Sequence, residues 1–231
     1  MAGGRIDCYF DIVSPYAYIA VARLLRELHQ LAGYGVTVDF HPMFLGAIMN
    51  ASGNKPPWTL QAKALYLAYD RDRSTAAMGI TCGTPTNLFE LAKTQGALRA
   101  LLAIKATYPA PVFHAAILHF FHFFWTPPHR PLDQDPVLAD ALSGVQFNAQ
   151  RAFTDADVGT IMRARSEYKQ ALVDEVHAAR EKGAFGAPWL WVTNADGDCQ
   201  PFFGSDRFNQ VFRFLGLNFH DVELLPPSAK L

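Results

Sequence analysis

Ser14, Pro15 and Tyr16 stand where an apolar run at residues 6–13 meets a helical pattern of Tyr16, Ile19, Ala20, Leu24, Leu28 and Leu31. Serine is a preferred helix N-cap, and proline fits the first helical turn because its missing N–H would be unpaired there anyway. A hydroxyl at that junction sits among free N–H groups and the positive end of the helix dipole, which is chemistry for holding an anion. The plainer alternative is that Ser14 only caps its own helix. Two other loops share this character. Gly186-Ala187-Pro188 precedes a strand-like run, and Gly204-Ser205-Asp206 precedes a helical one, with Ser205 or Asp206 as its N-cap. His119 and His122 are three apart on one helical face, a spacing that suits a metal; no third ligand follows nearby, and they read as core histidines bonded to neighbours.

The elements that must position these residues follow from periodicity. Residues 6–13 are β-branched and aromatic and read as a strand running straight into the helix. Gly33-Tyr34-Gly35 ends that helix. Residues 36–41 alternate apolar and polar, a second strand, so the first third is a βαβ unit with a right-handed crossover. Residues 44–57 are a loop or short helix ending in Ser52-Gly-Asn-Lys-Pro-Pro57. Thr59 caps the next helix, with Leu60, Ala64, Leu65, Ala68 and Tyr69 on one face and Lys63, Asp70, Arg71 and Arg73 more outward. Residues 85–182 are nearly all helical, broken at residues 79–85, 108–109, 126–131 and 143–144. Residues 113–125 are apolar on every side, as in a buried helix or a subunit interface. Residues 166–182 form an amphipathic helix with Tyr168, Leu172, Val176 and Ala179 inward. Residues 189–192 and 199–203 are strands joined by a turn at 194–197, and residues 208–215 are the last helix. The order β-α-β, helical block, β-β-α gives an α/β sheet domain at residues 1–60 and 183–231, with a helical domain inserted at 61–182.

Composition narrows the function classes. The chain has 231 residues, half of them hydrophobic, and a formal net charge of −1. A large core is affordable, and the basic footprint of a nucleic-acid binder is missing. No apolar run spans a bilayer, and the N-terminus lacks a signal-peptide core. Cys8, Cys82 and Cys199 are sparse, odd in number and without a Cys-x-x-Cys, which fits a reducing compartment and no zinc site. The tail Ala229-Lys230-Leu231 is one small residue from the Ser-Lys-Leu peroxisomal address, after an extended Pro226-Pro227.

Four motifs in order carry a resemblance: Ser14-Pro-Tyr16, Ser52-Gly-Asn-Lys-Pro-Pro57, Phe185-Gly-Ala-Pro188 and Phe203-Gly-Ser-Asp-Arg207. Together they resemble the kappa class of glutathione transferases, in the DsbA-like branch of the thioredoxin superfamily, and its relative 2-hydroxychromene-2-carboxylate isomerase. The resemblance runs from about residue 6 to the terminal tripeptide, and Ser-Gly-Asn-Lys-Pro-Pro points to the kappa class over the isomerase. It implies a thioredoxin-like βαβ…ββα domain with a large helical insertion of DsbA type.

By that resemblance Ser14 takes the place of the first cysteine of a redox pair and stabilises the glutathione thiolate. A thiol of ordinary pKa needs such help at neutral pH, and a hydroxyl donor at a helix N-terminus supplies it. Pro188 corresponds to the cis-proline, and Ala187 before it offers its backbone N–H and C=O to the cysteinyl part of glutathione. Ser205 and Asp206 hold the γ-glutamyl end. Asn54 meets the glycyl end, with Lys63 as partner for its carboxylate. Pro15 and Tyr16 complete the glutathione site. Met43, Trp58, Tyr66, Phe89 and Trp125 are candidates for an apolar second subsite, though core packing is the commoner role of each. No metal is implied. The partners implied are glutathione, an apolar electrophile, a second copy in a homodimer, and a peroxisomal import receptor, with cytosol or mitochondrion as further locations.

The leading expectation is a transferase or peroxidase acting on small apolar electrophiles or hydroperoxides. An isomerase using the same thiolate as a reversible nucleophile is the alternative, and the peroxisomal-type tail favours the transferase over it. A thiol-disulfide oxidoreductase lacks the protein thiolate it needs. A non-catalytic carrier of glutathione or an apolar ligand is the reading from a different class.

Overall fold

The computed structural model describes residues 3–222, so the terminal tripeptide Ala229-Lys230-Leu231 lies outside the described residues. Strand β1 (Gly4–Phe10) leads to helix α1 (Pro15–Gly33), strand β2 (Val36–Pro42) and helix α2 (Leu45–Ser52). A short 3-10 turn (Pro57–Thr59) precedes α3 (Gln61–Ala77). The helices α4 (Leu88–Leu91), α5 (Gln95–Thr107), α6 (Ala110–Trp125) and α7 (Asp135–Ser143) follow. A small hairpin of β3 (Gln146–Phe147) and β4 (Gln150–Arg151) leads to α8 (Asp155–Ala164) and α9 (Lys169–Glu181). Strands β5 (Trp189–Asn194) and β6 (Cys199–Phe203) and helix α10 (Phe208–Phe214) close the fold.

The four-stranded sheet has the order β2-β1-β5-β6. β1 runs parallel to β2, as a βαβ unit requires, and antiparallel to β5, with Cys8 opposite Phe40 on one side and Leu190 on the other. β6 is an edge strand antiparallel to β5, and its Pro201 stands opposite Trp191. On the other edge, the Lys105 ammonium of α5 donates to the Phe40 carbonyl of β2 at 2.8 Å. The alternating residues Ile6, Cys8 and Phe10 are fully buried on one face, where they join α1 and α6 in a core that runs through sheet and helices alike. The expected buried helix is α6, with Phe113, Ala116, Ile117, Phe120, Phe121, Phe124 and Trp125 all inside.

On the opposite face, α9 is held by charge. The His41 Nδ1 meets Glu175 of α9 at 3.0 Å, and its Nε2 meets Asp7 at 3.1 Å. Arg5 and Lys105 bond Asp7 and Asp39 around it, and Tyr9 stacks on the ring at 4.6 Å. Burial works against the charge of Asp7, yet the hydrogen bonds from His41 and Arg5 outweigh it and hold its pKa at about 2. The His41 pKa is raised in turn; burial opposes the rise, and Asp7 and Glu175 overcome it. Asp7, Asp39 and His41 bring ligand-type atoms within 4.8 Å of one another, and both nitrogens of His41 are already engaged.

Several expectations change. β1 ends at Phe10, not residue 13, because the Asp11 carboxylate turns back to accept from the Val13 N–H at 3.2 Å. Thr59 does not cap α3; its hydroxyl donates to the Pro56 carbonyl, and Leu60 is the cap residue without a side-chain bond. The apolar face assigned to α3 is split: Leu60, Leu65 and Tyr69 are exposed, Ala64 and Ala68 line a cleft, and the buried residue of the helix is Thr75. The block 85–182 is interrupted by the β3–β4 hairpin, whose turn residues Asn148 and Ala149 have positive φ. His122 bonds Thr126 as a neighbour but is exposed, so it is not a core residue, and the half-buried His119 leaves its Nε2 against Gly144 without a hydrogen bond.

Candidate glutathione-type site

Ser14 is the N-cap of the 19-residue α1 and is 5% exposed. Its hydroxyl accepts from the Ala17 N–H at 3.1 Å and donates to the Ala187 carbonyl at 2.9 Å. One hydroxyl thus ties the α1 N-terminus to the loop before β5. The Ala187–Pro188 peptide bond is cis, as the sequence resemblance implies. The Ala187 N–H donates to nothing among the described residues. Pro188 lies behind it, and its carbonyl accepts from the Gly204 N–H at 3.2 Å, which joins the second and third loops.

What positions Ser14 is Asp11. Its carboxylate is fully buried and accepts from the Leu45 N–H and the Thr94 hydroxyl, both at 2.8 Å, as well as from Val13. Its carbonyl accepts from the Ser14 N–H at 3.1 Å. Burial lifts the Asp11 pKa to about 6, while the donors from Leu45, Thr94, Val13 and Ile12 pull it back. The Trp125 indole N–H donates to the Ile12 carbonyl at 2.9 Å and fixes the turn from the helical side. Sequence reading passed over Asp11 as a chemical group; the available signal was a lone acid at the end of an apolar strand, where burial demands partners.

The three loops open on one cleft of about 1200 Å³. Ser14, Pro15, Tyr16, Asn54, Lys63, Ala187, Ser205 and Asp206 all line it; Pro188 does not. Asn54 is not free: its Nδ2 donates to the Phe185 carbonyl at 2.8 Å and its Oδ1 accepts from the Lys55 N–H. It straps the α2 end to the 185–188 loop. Lys63 is exposed on α3. Tyr16 donates its hydroxyl proton to Asp70 at 2.6 Å, which spans the cleft from α1 to α3, and Tyr66 donates to the other Asp70 oxygen at 3.1 Å. Burial and then Asp70 push the Tyr16 pKa well above the usual phenol range, so this hydroxyl keeps its proton.

Two glycines set the backbone approach. A Cβ on Gly186 would stand 2.7 Å from the Phe203 ring, and Gly204 holds φ +98° with Asp206 Oδ1 against its open side. Phe185 packs on both Trp189 and Phe203, closing the apolar back of this loop. The expected cap at the last helix is corrected. Arg207, not Ser205 or Asp206, is the α10 cap residue, without a side-chain bond, and Asp206 pairs with Arg207 instead. Among the described residues, only the N-terminus of α1 therefore carries a side-chain cap facing the cleft. Of the apolar candidates, Trp58, Phe89 and the buried Trp125 line the cleft, while Met43 is core and Tyr66 stands outside the lining. Arg71, Arg207 and Asp70 line it too, and sequence reading gave none of them a place in the site.

A strand–helix junction capped by a cleft-facing hydroxyl, set against a cis-proline loop, defines a thioredoxin-type arrangement. The chain belongs to the DSBA-like thioredoxin domain family, whose pattern matches residues 5–216. Within it the chain groups with the kappa-class glutathione S-transferases. It is 32% identical over 211 residues to glutathione S-transferase kappa 1 of Caenorhabditis elegans, covering 90% of this chain and 88% of that one. It is 27% identical over 215 residues to 2-hydroxychromene-2-carboxylate isomerase of Pseudomonas putida, covering 91% and 94%. A solved structure of a 2-hydroxychromene-2-carboxylate isomerase superposes with a TM-score of 0.70 at 23% identity, over 92% of this chain and 94% of that one, and shares its fold. Among the described residues no helix is long and apolar enough to cross a membrane.

Proposed function

We propose that the protein is a glutathione transferase of kappa type, and that the Ser14 hydroxyl, with the α1 N-terminus, stabilises the glutathione thiolate. The observation that carries this is the Ser14–Ala187 hydrogen bond at 2.9 Å on the cleft floor. An extended peptide laid along residue 187 presents its cysteinyl N–H to the Ala187 carbonyl and takes the free Ala187 N–H, in the manner of an added strand. The carbonyl then exchanges partners, and the released Ser14 hydroxyl turns to the sulfur. There it donates to the charged form and lowers the thiol pKa, helped by the half-charge of the helix end. The thiolate attacks an electrophilic carbon; the new S–C bond forms as the electron pair leaves with the departing group or moves onto the acceptor, which takes a proton from water. Ser205 and Asp206 serve the γ-glutamyl end, with the Asp206 carboxylate exchanging Arg207 for the ligand's ammonium. Lys63 serves the glycyl carboxylate. The active form is a homodimer, for which solution mass is the check.

Difference ultraviolet titration of the protein with glutathione tests the role of Ser14. A thiolate forming well below the free thiol's range of about 8.5 is expected, with a rise of about one pH unit or more in Ser14→Ala. An unchanged titration in that variant overturns the assignment. A reversible isomerase is the second reading, favoured by the likeness to the Pseudomonas putida enzyme along 91% of this chain. It returns glutathione unconsumed, so glutathione depletion during turnover separates the two.

A further inference from the structure

A second cavity, of about 600 Å³, lies against another face of α1 from Tyr16 and shares no lining residue with the cleft. That volume is within the roughly 300–1000 Å³ of a site for one small ligand. Its walls are α1, α6 and the turn at residues 79–81, and Leu25, Ile80 and Leu118 give it an apolar side. The polar side has donors and nothing to receive them. Tyr18 is only 8% exposed, its ring stacked on Phe121 at 4.9 Å, yet its hydroxyl bonds nothing among the described residues. A phenol buried to that degree ordinarily has a partner. Burial and then Cys82 hold the Tyr18 pKa above the usual phenol range while the Arg26 guanidinium pulls it down, so the hydroxyl keeps its proton and feels that charge. Arg26 gives its Nη2 to the Met78 carbonyl at 2.6 Å and has no carboxylate partner among the described residues, which leaves Nη1 and Nε to spare. His122 meets the Thr126 hydroxyl through Nδ1 and keeps Nε2 unbonded, and Thr81 bonds through neither its hydroxyl nor its N–H among the described residues. Among those residues no acid lines the cavity, and Asp140, the acid felt at His119, is paired with Arg130. His119 itself is wall, with its Nε2 buried against Gly144.

We infer that this cavity is a second binding site, separate from the glutathione cleft, for a phosphate monoester on a small apolar body. Four donor side chains from three elements exceed what the two oxygens of a carboxylate can take, and they suit the three oxygens and double charge of a phosphate. Tyr18 supplies a hydroxyl at the buried end, Arg26 the fixed charge, and His122 and Thr81 the remaining donors, while Leu25, Ile80 and Leu118 cover the apolar body. None of these residues belongs to the transferase site, so the inference stands apart from that reading.

Isothermal titration of the full chain with phenyl phosphate, with its neutral diethyl ester and with benzoate tests the inference. Phenyl phosphate binds about tenfold more tightly than the ester, the worth of one charge-assisted hydrogen bond, and more tightly than benzoate. Saturating glutathione leaves its affinity unchanged. Tyr18→Phe keeps the ring on Phe121 and lowers the affinity about tenfold; Arg26→Gln lowers it at least as much; neither changes glutathione binding. Circular dichroism of each variant confirms the fold. His122→Gln, at an exposed ring, lowers the affinity about threefold and keeps the test decisive should another variant fail to fold. No binding of phenyl phosphate at millimolar concentration, equal binding of its ester, or an affinity untouched by these substitutions overturns the inference. So does displacement by glutathione, which would put the probe in the cleft, and benzoate binding as tightly as phenyl phosphate overturns the phosphate class.

Discussion

Asp7 lies within β1 and Asp11 one residue past its end; both are buried, and their pKa values move in opposite directions. At Asp7, burial is overcome by His41 and Arg5, and the carboxylate stays ionised with a pKa of about 2. At Asp11, burial prevails over neutral donors from Leu45, Thr94, Val13 and Ile12, and the pKa rises to about 6. Cationic partners fix the first as part of an ion network that clamps α9 to the sheet. Neutral N–H and O–H donors make the second a structural knot under Ser14, joining the ends of β1, α2 and α5. The difference teaches that a carboxylate's partners, more than its depth, decide which way its pKa moves.

The comparison can be broken most forcibly at Asp11. Asp11→Ala strands three buried donors at about 1–3 kcal/mol each; a loss of about 3 kcal/mol or more is expected in urea unfolding. A loss below about 1 kcal/mol would end the claim that Asp11 is the knot. The next effect is in pH. Asp11 has a folded pKa above its ordinary 3.8, so its ionisation costs stability that falls away as pH rises from about 4 through about 6. Asp7 is the reverse: its contribution is full above 3.8 and lost as pH falls through about 2. Carboxyl carbon NMR titration should place Asp7 well below Asp11; coincident titrations would abolish the contrast.

A smaller change separates the two ends through His41. Its folded pKa is raised, so its stabilisation is whole below the ordinary 6.5 and lost as pH rises through the folded value. In His41→Gln that decline should vanish from unfolding curves taken between pH 6 and 9. Persistence of the slope would assign it elsewhere. The smallest effect belongs to Tyr16→Phe, which cuts the tie to Asp70. A loss of about 0.5–1.5 kcal/mol is expected, with faster amide exchange confined to α3 and the Asp7 end untouched.

Much of the fold was legible because periodicity reports local structure well. The alternation in β2, the helical stripe of α1 and the Ser14 cap were all in plain view, as was the convergence of three loops. What periodicity does not report is which stripe of a helix meets the protein. In α3, the assigned face of Leu60, Ala64, Leu65, Ala68 and Tyr69 divides: Leu60, Leu65 and Tyr69 are exposed, while Ala64 and Ala68 line the cleft with Leu67 and Arg71. Strands of two residues, β3 and β4, are too short to leave a pattern. The cap of α10 was misplaced because three polar residues in a row each suit a turn, and Asp206 found Arg207 instead of a backbone N–H. Asn54 lines the cleft as read, and its Nδ2 also donates to the Phe185 carbonyl, a contact 131 residues away that no local signal announces.

The two outer strands of the sheet have a bearing on how the protein behaves when crowded. An unpaired strand edge is a template for another chain to add to, the route to uncontrolled aggregation. β6 carries Pro201, which has no N–H to offer a newcomer, and on β2 the Phe40 carbonyl is already occupied by Lys105. A visiting strand therefore meets a missing donor on one side and a taken acceptor on the other. Sheet growth is discouraged at both margins.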